Sequence, residues 1–85
     1  MNETLSNIKV IDRITFIEFL KLLRQDFIDN PNDWENKKLD DFIEAMSGYA
    51  GDIQGYYDNT KQSINADDAS WNIFADILHG AKIYE

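Results

Sequence analysis

Few residues in this sequence have the types and spacing to do chemistry. His79 is the single imidazole and there is no cysteine, so thiolate nucleophiles, disulfides and a zinc site of ordinary His/Cys composition are excluded. His79 lies near the edge of an apolar stripe, where a structural or surface role outweighs that of a general base. Asp40 and Glu44 stand one helical turn apart, the spacing of a carboxylate pair for acid/base work. A row of acids on a helix's polar face is, however, nearly always solvated surface. The segment "GYAGDIQG" has the glycines of a phosphate loop at the wrong spacing and inside a helical rhythm. Ser47 and Ser70 lack a nucleophile-elbow pattern. A calcium loop starting at Asp29 would have Pro31 third, Trp34 in place of the sixth-position glycine and Asp40 in place of the twelfth-position glutamate. The expectation is therefore a protein that is not an enzyme, with no catalytic residue, cofactor or metal.

What remains is acid and aromatic surface. The net charge is −8 over 85 residues, and it is unevenly placed. Residues 1–24 carry four Lys/Arg against three acids, residues 25–68 three against eleven, and residues 69–85 one against two. A central segment of that sign repels phosphate backbones and anionic lipid, so neither direct nucleic-acid nor membrane binding is expected. The magnitude alone is ordinary for solubility in a small domain. Asp41, Glu44 and Asp52 on a helix's polar side, with Tyr56 at its boundary, are the candidates for binding a protein partner, and their charge suits a basic one. Long-range attraction would speed encounter and an aromatic anchor would supply contact energy.

The elements that must position these groups are helical. Phe16, Phe19, Leu20, Leu23 and Phe27 keep helical spacing after Thr15 and Glu18, which have the form of a capping box. A largely buried helix over about 16–29 follows, with residues 1–14 extended or irregular. "DNPND" ends it, since Pro31 disfavours helix at Asn30. Asn36 is a candidate cap for the next element, in which Leu39, Phe42, Ile43, Met46, Tyr49, Ile53 and Tyr57 hold one phase over 37–58, as one helix or two. Tyr57 falls at the centre of that apolar arc and Tyr56 at its edge. Gly48, Gly51 and Gly55 lie on the opposite side, each weakening the helix. A polar loop leads to a last helix, capped by Ser70 or Asp68, in which Gly80 invites fraying or a bend. Trp71, Phe74, Ala75 and Leu78 line one stripe of it, and Ile73, Ile77 and Tyr84 a second. Both tryptophans, Trp34 and Trp71, are expected in the core. The fold class is all-α: a single domain over 1–85, a small bundle of three to four helices.

No apolar run approaches the roughly 18 to 20 residues needed to span a bilayer, and the N-terminus lacks a leader pattern. A soluble, cytoplasmic protein is expected. "WEN" leading into "FIEAM", then "SWNIFADIL" and "GAKIYE", resembles an uncharacterised family of short bacterial proteins over residues 34–85. That resemblance implies a domain of unknown function whose C-terminal motif is packed. More loosely, "TFIEFLKLL" and the pair Tyr56 and Tyr57 after an acidic helix are similar to colicin-type nuclease immunity proteins, although Asp58 stands where that pattern has proline. The function expected is an acidic, non-enzymatic interaction module, in its sharpest form an immunity- or antitoxin-type inhibitor of a basic protein. The alternative is a structural subunit that self-associates as a homodimer through Ile73, Ile77 and Tyr84, and a small enzyme comes third.

Overall fold

Asp12, in extended backbone, begins the first helix, α1 (Arg13–Asp29). Its carboxylate accepts from the Thr15 amide at 2.8 Å, and Thr15 Oγ1 accepts in return from the Asp12 amide at 3.1 Å. The capping box is therefore headed by Asp12, with Thr15 at its third helical position. The expected box of Thr15 and Glu18 is displaced by one turn because the aspartate is the better cap and stands three residues earlier. In this computed structural model residues 4–85 are described, and residues 1–3 of the expected irregular segment lie outside them.

After α1 the chain makes a single 3₁₀ turn, Pro31–Asp33, and then enters α2 (Leu39–Asn59). The long apolar phase is thus one helix. Its N-cap is Lys38, which makes no side-chain cap bond, and Asp40 and Asp41 in the first turn complement the helix dipole instead. Asn36 is used elsewhere. Lys61, with φ 58°, closes α2: the Gln62 amide reaches the Tyr57 carbonyl at 2.8 Å and the Lys61 amide that of Asp58 at 3.2 Å, the double bond of a Schellman end. The polar loop that follows is pinned to α2 by Gln54, which donates to the Ile64 carbonyl at 2.9 Å and accepts from the Ala66 amide at 2.8 Å. Ser70 then caps α3 (Trp71–Ala81) through the Ile73 amide.

α3 is the central element. It packs against both α1 and α2, whereas α1 and α2 make no close backbone approach to each other. Two buried clusters result. Val10, Phe19, Leu23, Trp34 and Ala75 form one, and Ile53, Tyr57 and Ile73 the other, with Tyr49, Ile64 and Ile77 packed on it. Of the second α3 stripe Ile73 is buried in the latter cluster, while Ile77 and Tyr84 are half-buried. Trp34 is core, but Trp71 is 37 % exposed and packs at a tilt against Phe16, ring centres 5.3 Å apart, because it begins α3 at the rim. α1 is also less buried than its spacing predicts: Ile14, Ile17, Leu20 and Ile28 are exposed. Ile14, Ile17 and Ile28 lie across α1 from the buried Phe19 and Leu23, about 160° to 220° from Phe19 at 100° per residue, and so face away from α3. α2, with 21 residues, is about 31 Å long and α3, with 11, about 16 Å, so α3 runs along only part of α2.

Candidate functional site

Four side chains lock the C-terminal segment to the turn after α1. Trp34 Nε1 and Lys82 Nζ both reach Asp26 Oδ2 at 2.8 Å, and Lys82 Nζ lies 5.8 Å from the centre of the Trp34 ring. Asn36 Nδ2 donates to the carbonyls of Ala81 at 2.9 Å and Tyr84 at 2.7 Å, while the amides of Glu35 and Asn36 both turn to the Lys82 carbonyl. Asn36 therefore satisfies the open end of α3 instead of capping α2. Burial pushes the Asp26 carboxyl upward, but donation from Lys82, Trp34 and Asn30 outweighs it and holds the group below the usual carboxylate range. "WEN" and "KIY", far apart in sequence, form one clamp, and the C-terminal motif is packed at Lys82 and Tyr84.

Two tyrosines on this clamp interlock with two glycines. The Tyr84 ring sits against Gly48, where an added Cβ would lie 2.9 Å from Cε2, and the Tyr49 ring sits against Gly80, where an added Cβ would overlap three ring carbons. The rings meet edge to face at 5.4 Å. Gly48 is therefore a seat and not merely a weak point on a polar face, and Gly80 permits close packing where a frayed end was expected. The Tyr84 hydroxyl donates to Asp52, which raises the phenol pKa.

Asp41, Glu44, Asp52 and Tyr56 fall in one row along α2, separated by three to four residues with Gly48 between, and Asp41 to Tyr56 spans about 22 Å. All four are exposed, Tyr56 by 45 %. Asp41 and Glu44 flank a hollow of about 290 Å³ that also receives Tyr84 and Glu85. Asp52 lies farther along, tied to Tyr84. Tyr56 borders a different hollow of about 200 Å³, with Tyr49, Asp76 and His79. The row is continuous along the helix but does not converge on one concave site. Its carboxylates are uncompensated: among the described residues the only ion pair within 4.0 Å is Asp26 with Lys82.

The hollow beside Tyr56 holds groups that spacing alone did not single out. The Tyr57 hydroxyl, fully buried, donates to Asp76 Oδ2 at 2.6 Å. Burial and this bond push the Tyr57 phenol far up, so it stays protonated. Desolvation raises Asp76 against the lowering by Tyr57 and His79, and lowers His79, with Lys82 adding to the effect. Asp76 was not legible as special, because only the fold brings Tyr57 onto it across 19 residues.

A second overlooked surface lies between α1 and the start of α2, an apolar groove of about 330 Å³ with Leu23, Phe27, Trp34 and Phe42 inside it. Its signal in the sequence was the width of the apolar arcs, at whose edges Leu20 and Leu39 stand.

Together these features define the class as a small all-α domain with a central short helix and a side-chain clamp between its 3₁₀ turn and its C-terminal segment. Residues 12–85 match a family of unknown function, DUF7660, and the chain belongs to that family. The membership read from residues 34–85 thus extends back to the α1 cap. No curated protein and no solved structure matches the chain. None of the described helices is long and apolar enough to cross a membrane.

Proposed function

We propose that this protein is a non-enzymatic interaction module of the cytoplasm that presents the α2 row Asp41, Glu44, Asp52 and Tyr56 to a basic protein, with an immunity- or antitoxin-type inhibitor as the sharpest form. One observation carries the reading: Asp41 and Glu44 are exposed on a helix with no cation paired to them among the described residues, and an aromatic ring 45 % exposed, Tyr56, stands about 18 Å farther along the same row. Uncompensated charge on a rigid element raises the rate of encounter with an oppositely charged partner, and the ring supplies contact area at low entropic cost. Asp52 contributes charge while tethering Tyr84.

The test is affinity capture from host lysate at low salt, followed by association kinetics with the captured protein. Asp41→Asn with Glu44→Gln should slow association and flatten its salt dependence with little change in thermal stability, and Tyr56→Ala should speed dissociation. Unchanged kinetics in both variants would refute the reading.

A small enzyme is favoured by one feature, the carboxyl of raised pKa at Asp76 in a hollow with His79. That carboxyl is already engaged by the Tyr57 hydroxyl, which gives the raised pKa a structural cause, and the interaction reading is preferred.

A further inference from the structure

We infer that the groove between α1 and α2 is a docking site for an amphipathic helix of a partner protein whose apolar face is flanked by acidic residues. The inference goes beyond the acidic-row reading and uses a different face of the molecule. Leu20 from α1 and Leu39 from α2 stand on opposite walls, 39 % and 75 % exposed, over a floor formed by Phe27, Trp34 and Phe42. Ile43 continues the α2 wall one turn beyond Leu39 and is 54 % exposed. α1 and α2 make no close backbone approach, and the hollow between them opens to solvent where Leu20 and Leu39 are exposed. A helix laid there would pack against both, as α3 does on the other side, in the helix-in-groove mode.

Charge decides the occupant. Arg24, Lys37 and Lys38 line the groove and no acid does, on a chain of net charge −8. Three of its eight basic residues are therefore gathered around an apolar opening. A second copy docked face to face would set these cations against their own images, which disfavours a symmetric dimer through this surface. A lipid surface is broad and planar and meets a concave groove poorly. An apolar helix bordered by glutamates or aspartates satisfies both the hydrophobic walls and the cationic rim.

The experiment uses the full chain and two synthetic helices of about 18 residues, identical in their leucine face, one flanked by glutamate and one by lysine. Amide shifts are mapped by NMR, and affinity is followed by fluorescence anisotropy. The glutamate-flanked helix should shift Leu20, Arg24, Lys38, Leu39 and Phe42, bind about tenfold or more tightly than its lysine counterpart, and weaken with salt. Leu39→Glu, at a site too exposed to disturb folding, should weaken it about tenfold or more, as should Lys37→Glu with Lys38→Glu. Four results overturn the inference: equal affinity for the two helices, no shifts at this face, a dimer in light scattering that Leu39→Glu abolishes, or binding to phosphatidylserine vesicles in place of the peptide. None of them touches Asp41 or Tyr56, so the acidic-row reading is judged separately.

Discussion

Replacing Gly80 by alanine places a methyl group where the Tyr49 ring already lies. The new Cβ would fall 2.5 Å from Tyr49 Cδ2 and Cζ, against the roughly 3.5 to 4.0 Å of an ordinary carbon contact, so the ring must move by about 1 Å. It has little room to do so, since its edge meets Tyr84 at 5.4 Å and it packs on the cluster of Ile53, Tyr57 and Ile73. Overpacking of this kind costs about 1 to 3 kcal/mol. The helix-propensity gain of alanine over glycine is about 1 kcal/mol in a helix interior and smaller at the penultimate residue of α3. Gly80→Ala should therefore lose about 1 to 2 kcal/mol. At Gly51 and Gly55 an added Cβ meets nothing within 4 Å, and alanine there should gain about 0.5 to 1 kcal/mol each. In a domain of this size 1 kcal/mol moves Tm by about 4 to 8 °C, which separates the two kinds of variant clearly. Urea titrations followed by tryptophan fluorescence and circular dichroism give the free energies, and unchanged m-values keep the comparison valid. Tyr49→Ala provides the control: with the ring gone, Gly80→Ala should become neutral or stabilising, a coupling of about 1 to 3 kcal/mol. A Gly80→Ala variant as stable as the parent would refute the interlock.

Two further outcomes follow from the clamp and the half-buried pair. Asn36→Ala removes both donors to the carbonyls of Ala81 and Tyr84 and should cost about 1 to 3 kcal/mol, with faster hydrogen exchange at the amides of Glu35 and Asn36. Unchanged exchange would show that Asn36 does not hold the segment. Desolvation keeps His79 below its ordinary value of 6.5, so the stability it contributes as a neutral ring is full above about pH 6.5 and is lost as pH falls through the depressed value. Asp76, raised from 3.8 by burial, behaves oppositely: its contribution is full below about pH 3.8 and is lost as pH rises through the raised value. Melting curves across pH should flatten below about 6.5 in His79→Gln and above about 3.8 in Asp76→Asn, and parallel curves for parent and variants would count against both shifts.

Local rules act within a few residues, and they were readable directly. The helical phase of α2, the breaker at Pro31, a cap at Ser70 or Asp68, of which Ser70 is the one used, and the core position of Tyr57 all depend on nearest neighbours and on burial of one face. The same rules placed Tyr56 at the boundary and Asp41, Glu44 and Asp52 on the polar side. Competition between candidate caps was harder to read, since Asp12 and Thr15 can each begin a helix and only the pairing of both groups selects Asp12. Asn36 was misread for a related reason: its amide looked like a local cap, but its partners lie 45 and 48 residues away.

By itself the sequence determined an all-α chain, its charge distribution and which acids lie on the polar side of α2, because periodicity and composition are properties of short windows. Only the tertiary structure decided which glycines are seats for tyrosine rings, that Asp26 joins Trp34 to Lys82, that Asp76 receives Tyr57, and that α3 packs on both α1 and α2 while these two stay apart. Each of these depends on the distance between elements that no single window contains, and the apolar groove with its basic rim exists only as a consequence of that geometry.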